Sequence, residues 1–452
     1  MSGEAVKPAP FRGSGPFLRI APPLWLPLRH FALAAVAFVV FAAAVAWRGG
    51  NLVGFDIDAR FALGLVHVLT LGWIAQTILG ACCQMMPTHG EVPLAFPRAA
   101  AAGWWLFVFG VLAYVGALWS GVERYWIPAL AVAGGVAIEL FVLAVTHARA
   151  RKRDTTWLHF AAALFWLGAL ATAGALMAYD RHRGLVFRDP EGGLIAHVHM
   201  ALIGFAATTI YGAGHRLIPW IALCQIRTRW EGRASFALTQ IGLAGLAIDS
   251  LFLGRRLMPL WACLIAAGFL LYALQLRPIL TGGATLDPSL ALTLLSFAGG
   301  ALWAAIGLGL AFDAFADSTP ARGAYVWAAL VGCITPIILA QVHKIAPFLV
   351  WLHVYSPRQW TPPVKVPKID DLTSRGLAWM EFFTLAAAVP LGTAGLWLER
   401  GGLVRAAGGC LLATAACYAW NLGSALRHVV RPDGHWDLPD GALEIDAAFT
   451  VD

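Results

Sequence analysis

The chain is 452 residues long, 59% hydrophobic and 13% charged, with a formal net charge of +7. A water-soluble globular protein carries about a quarter of its residues as charges, so this composition excludes one and reads as an all-α polytopic membrane protein. Seven cysteines without a CxxC or CxxCH exclude covalently attached c-type haem and argue against a disulfide framework.

A lipid core needs about 20 apolar residues per helix, and twelve runs meet that length. Residues 1–25, Pro-rich with Lys7, Arg12 and Arg19, read as a solvated lead-in. Helix 1 (Leu26 to Trp47) is full length and lacks a small-residue cleavage site, so it is expected to be an anchor rather than a signal peptide. Its His30 reads as a snorkelling surface histidine. Helix 2 (Phe61 to Met86) carries His67 about two turns in, where an imidazole within lipid is a functional candidate by default. Its other end holds Cys82, Cys83, Met85 and Met86, followed by His89. Sulfur and imidazole suit copper(I), and Met and Cys are also ordinary apolar fillers.

Helices 3 (Ala99 to Trp119) and 4 (Tyr125 to Ala148) offer Glu139, which serves either a proton path or a hydrogen bond to a neighbouring helix, and His147, expected to be exposed. Helix 5 spans Thr156 to Tyr179 and starts with His159. A loop of mixed charge, RHRGLVFRDPEGGL, then leads into helix 6 (Leu194 to Ile218) with His197 and His199. In a regular helix these two sit about 200° apart and face different ways. His215, 16 residues beyond His199, lies about 24 Å along the axis and 160° away. Helices 7 (Ala234 to Leu253), 8 (Leu257 to Leu276) and 9 (Leu286 to Phe312) contain no histidine, and Asp249 and Asp313 are expected to be exposed at their ends. Helix 10 (Tyr325 to Val350) has Pro336 near its middle, expected to kink it and free a carbonyl, then His343. A Pro- and Lys-rich loop over 354–376 precedes helices 11 (Leu377 to Leu398) and 12 (Leu403 to Leu422), which carry only Glu381 as an acid within the span. The acidic end beyond Arg431 reads as a disordered cytoplasmic tail.

One stretch recurs. HVLTLGWIAQTILGACCQMMP at 67–87 and HMALIGFAATTIYGAGHRLIP at 199–219 match without a gap at eight of 21 positions. A third copy, WAALVGCITPIILAQVHKIAP at 327–347, keeps Gly332, Ile338 and Pro347 in register. The spacings of 132 and 128 residues suit sets of four membrane helices, so the membrane domain, 26–425, divides into repeats at about 26–148, 156–276 and 286–422, with 426–452 as a tail. In that alignment Cys83, His215 and His343 are equivalent, read either as a metal site or as polar caps of helix ends. Cytoplasmic loops collect Lys and Arg; with both termini cytoplasmic, that side holds 21 of the 32 basic residues. The asymmetry accounts for the net charge without nucleic-acid binding.

Three sets of four helices with histidines on the second helix of a set resemble the catalytic subunit of the haem-copper oxidase superfamily, which includes cbb3-type oxidases and nitric oxide reductases, and the haem-containing NnrS family. The resemblance rests on HVLTLGWIAQTILGACCQMMP and AHVHMALIGFAATTIYGAGHRLIP, with HKIAPFLVWLH beside them, and covers about residues 25–425. It implies a bacterial inner-membrane location and haem b held by His67 and His199, with His197 orienting a ligand or a propionate. It also implies a redox partner and a small gas ligand, nitric oxide or oxygen. The paired histidines of the family's seventh helix are absent here, Trp327 stands where helix 10 would offer a ligand, and no tyrosine lies four residues after His197 or His199. The full copper-site ligand set is therefore missing, and oxygen reduction with proton pumping is not expected. Copper transport, or assembly of a respiratory complex without haem, is the alternative.

Overall fold

The computed structural model describes residues 20–54, 59–221, 230–277, 285–356 and 366–432, with the side chains of residues 182, 220 and 221 outside the description. The start of the lead-in, the tail beyond 432 and residues 357–365 of the Pro-rich loop before helix 11 lie outside these residues. Among the described residues there are helices and no strand.

Among the described residues twelve helices are long and apolar enough to cross a membrane: α1 (Trp25–Leu52), α2 (Arg60–Gly90), α3 (Pro97–Trp119), α4 (Trp126–Ala148), α5 (Thr155–Arg181), α6 (Pro190–Pro219), α7 (Trp230–Leu253), α8 (Met258–Gln275), α9 (Pro288–Ala311), α10 (Thr319–Val354), α11 (Arg375–Trp397) and α12 (Gly401–Val430). The chain is a multi-pass membrane protein. Several starts are set by caps that the sequence carries. Asp154 accepts from the Trp157 N–H at 3.1 Å and Asp287 from Leu290 at 2.8 Å, satisfying donors that a helix start otherwise leaves open. Asp189 and Asp287 each precede a proline at the first helical position, where its missing N–H costs nothing.

The repeat-bearing helices form the middle of the bundle. About two thirds of the apolar window of α2 and of α6 is buried, and 78% of that of α10, against 17% for α8 and 22% for α9. Large apolar side chains such as Phe109, Phe165, Phe252 and Trp420 stand exposed on the periphery, as a lipid solvent allows and water does not. The repeat is also a repeat of packing. A Cβ on Gly80 of α2 would come 2.6 Å from the His30 Cβ of α1, and one on Gly212 of α6 would come 2.6 Å from the His159 Cβ of α5. In the third set Gly332 of α10 lies backbone to backbone on Gly299 of α9.

All three central helices open into a π turn at the same place: Val68–Ala75, Met200–Ala207 and Ala328–Ile334. Pro336 accounts for loosened backbone only in α10, so the turn belongs to the repeat and not to the proline. Hydroxyls from the next turn fill the loosened ladder, Thr208 Oγ1 donating to the Ile203 carbonyl and Thr335 Oγ1 to that of Leu330, each at 2.8 Å. The exposure expected at three polar positions is not found. His30 is fully buried against α2, because Gly80 lets the two helices approach. His147 is buried and stacked on Trp157 with ring centroids 4.7 Å apart. Asp249 is fully buried, accepting from the N–H groups of Arg256 (3.1 Å) and Leu257 (2.8 Å) as it closes the turn into α8. Asp313 is exposed, as its position at a helix end predicts.

Candidate functional site

Ligand-type side chains collect in two zones, one near the start of α2, α6 and α10 and one near their other end. At the starting end, His67 Nδ1 is 2.7 Å from the Leu63 carbonyl. A carbonyl only accepts, so Nδ1 carries the proton and Nε2 holds the lone pair. Among the described residues Nε2 has no hydrogen-bond partner. The ring stands edge-on to Tyr114 at 5.1 Å. His199 repeats the arrangement, its Nδ1–H donating to the Ile195 carbonyl at 2.7 Å. Its Nε2, however, accepts from the Tyr325 hydroxyl of α10 at 2.8 Å. Both nitrogens of His199 are thus occupied.

His197 turns the other way, as the helical angle requires. Its ring lies over Gly174 of α5, whose missing side chain leaves it room, and its Nδ1 is buried without a partner. The structure therefore sets His199 on Tyr325 and leaves His67 Nε2 and His197 Nδ1 without a hydrogen-bond partner among the described residues.

A charged rim lies at this end. Glu191 at the start of α6 binds Arg255 from the α7–α8 turn and Arg322 from the first turn of α10, and Arg322 also grips Asp317 through two nitrogens at 2.6 Å. The Arg322 hydrogen bonds hold the Asp317 carboxyl below its ordinary range. Tyr325 is one turn beyond Arg322, so the rim fixes the start of the helix that holds His199.

At the other end the equivalent positions Cys83, His215 and His343 each find a polar partner on an outer helix of their own set. Cys83 Sγ lies 3.9 Å from Glu139 Oε2 of α4. The Gln275 amide of α8 donates to His215 Nδ1 at 2.9 Å. His343 Nε2 donates to Glu381 Oε2 of α11 at 2.6 Å, and Asn421 of α12 donates to Glu381 Oε1 at 3.1 Å. Glu139 thus joins neighbouring helices, as one of its two readings had it. His215 and His343 are tied into helix–helix bridges.

The first set differs in what surrounds the bridge. His30 brings a third ligand-type group, and one ligand atom each from His30, Cys83 and Glu139 lie within 4.8 Å of one another, with all three residues buried. Neither ring nitrogen of His30 has a partner, nor does Glu139 Oε1. Arg29 stands beside them, its guanidinium 4.5 Å from the Trp104 ring centroid and donating to the Ala100 carbonyl at 3.1 Å. Sequence reasoning passed over His30; its signal was the glycine at 80 that recurs at 212, each making room for a histidine on the preceding helix.

No protein-family model matches the chain, and no curated protein matches it.

Proposed function

We propose that the chain is a haem-binding protein of the bacterial inner membrane, with both termini cytoplasmic, built on the layout of the haem-copper oxidase catalytic subunit and acting in respiratory or nitric-oxide-related redox chemistry. The observation that carries this is the state of His67. Its Nδ1–H is tied to a backbone carbonyl, which fixes ring and tautomer as ligating histidines require, and its Nε2 lone pair is left open in the bundle's central layer. The donor set fits haem b: His67 would hold the iron, and His197, also unpartnered, would stand as second ligand or as the group facing a bound gas. His199 would steady the site through Tyr325. A b-type haem supplies an iron that accepts one electron or binds nitric oxide or oxygen. The protein's part is to orient the imidazoles and keep water from them. Loop asymmetry of Lys and Arg supports the orientation.

The test is an absorption spectrum of the detergent-purified protein, oxidised and dithionite-reduced, with iron analysis. A Soret band with b-type reduced bands is expected, lost in His67→Ala, shifted towards high spin in His197→Ala and retained in His199→Ala. A colourless protein without iron overturns the reading and leaves metal transport or an assembly role for the histidines.

A further inference from the structure

The buried group of His30, Cys83 and Glu139 has no part in the haem reading, which concerns the opposite end of α2. Its chemistry is unusual for a membrane interior. A polar atom left without a partner in apolar surroundings is costly, yet among the described residues His30 leaves two ring nitrogens unpaired and Glu139 one oxygen. In the second set the equivalent helix bridge is made by a neutral pair, His215 and Gln275, which leaves one buried atom on each, His215 Nε2 and Gln275 Oε1, without a partner. The first set instead brings a thiol and a carboxyl to a histidine whose ring stands edge-on to Trp104 at 6.0 Å.

We propose that these three side chains bind one transition-metal ion, zinc by the character of the donors. Nitrogen, sulfur and oxygen from His, Cys and Glu are the donors zinc takes. With Zn–S near 2.3 Å and Zn–O near 2.1 Å at a tetrahedral angle, sulfur and oxygen would stand about 3.6 Å apart; Cys83 Sγ and Glu139 Oε2 are separated by 3.9 Å. Small rotations close the difference. A thiolate and a carboxylate offset the two charges of the ion, which limits the net charge that lipid penalises to that of the Arg29 guanidinium beside them, itself set on the Trp104 ring. Binding releases the Cys83 proton and whatever proton Glu139 holds. Three protein ligands leave a fourth position open, the pattern of sites that act on or pass along a ligand rather than closed structural ones. Gly80 is what admits His30 to this position.

The experiment uses the full chain, purified in detergent, stripped with a chelator and titrated with zinc or cobalt(II). One metal per chain is expected, with a thiolate-to-cobalt charge-transfer band. Cys83→Ser should abolish that band, and His30→Gln should weaken binding on the order of a hundredfold, while Cys263→Ser, a change at an exposed thiol, should leave both unchanged. Absence of stoichiometric metal in the wild type, or a band that survives Cys83→Ser and His30→Gln, overturns the proposal. Should either variant fail to fold, X-ray absorption of the zinc-loaded wild type decides: a sulfur shell near 2.3 Å supports the site and an all-nitrogen/oxygen shell overturns it. The haem spectrum of His30→Gln should match that of the wild type, so failure here is distinct from failure of the haem reading.

Discussion

The Tyr325 hydroxyl of α10 meets His199 Nε2 of α6 at 2.8 Å, while the equivalent nitrogen of His67 on α2 meets no hydrogen-bond donor among the described residues. Two histidines at the same place in a repeat are thus left in different chemical states by a single neighbour. Tyr325→Phe removes that donor and is expected to cost about 1 kcal/mol, the usual worth of one hydrogen bond. It should appear as a small fall in the melting temperature of the detergent-solubilised protein, with any haem spectrum unchanged. A spectrum altered as strongly as by His67→Ala would make His199 the ligand instead.

Glu381 is fully buried and accepts from both His343 and Asn421. Glu381→Leu leaves both donors facing apolar surroundings and is expected to destabilise by about 3–5 kcal/mol. Glu381→Gln keeps the shape and an acceptor for one of them, and should lose much less. Thermal unfolding of the two variants side by side checks the order, which reverses if the site prefers an apolar filling.

Gly80 and Gly212 should not tolerate a methyl group. Built Cβ atoms there come 2.6 Å from the Cβ atoms of His30 and His159, and neither helix can yield without displacing its pair. Gly80→Ala and Gly212→Ala are expected to lower the yield of folded protein sharply, by gel filtration in detergent. Gly409→Ala, where nothing lies within 4 Å, should behave as wild type.

Asp317 gives a pH dependence. Arg322 holds its folded-state carboxyl below the ordinary value, so the pair's stabilisation is complete above the unfolded pKa of about 3.9 and is lost as pH falls through the lowered folded value. The side chain is about half exposed, which limits the effect to under about 1 kcal/mol. The difference in melting temperature between wild type and Asp317→Asn should be constant from pH 7 to 5 and close only in stronger acid. Closure already by pH 5 would show that the carboxyl is not held down.

The twelve helices were legible because lipid imposes a length and a composition on each, and the match between 67–87 and 199–219 singled out the helices that prove innermost. Side-chain surroundings were less legible. His30, His147 and Asp249 lie near helix ends, where sequence position favours exposure, and each is covered by residues distant in the chain or by the turn that follows. The partners of Cys83, His215 and His343 come from three different outer helices, 56, 60 and 38 residues away. Nothing in the periodicity of one helix specifies them. Tyr325 was read only as the start of a helix, since its role depends on the approach of α10 to α6.

A π turn holds one residue more than the α turn it replaces, so each central helix has an extra residue wound into its first half. Reckoned as a regular helix, His199 and His215 point about 160° apart; with one residue absorbed, the angle falls to about 60°. The turn therefore works as a rotary offset between the two ends of the rod, setting the bearing of the zone at one face relative to the zone at the other. Removing a single residue from 68–75 would close the turn into regular α-helix and leave Cys83 at nearly the same bearing to His67, facing His30 and Glu139 as before. In this architecture the extra residue is a spare that regular helix does not have, and a one-residue deletion inside the turn would be milder than an insertion elsewhere between the two zones.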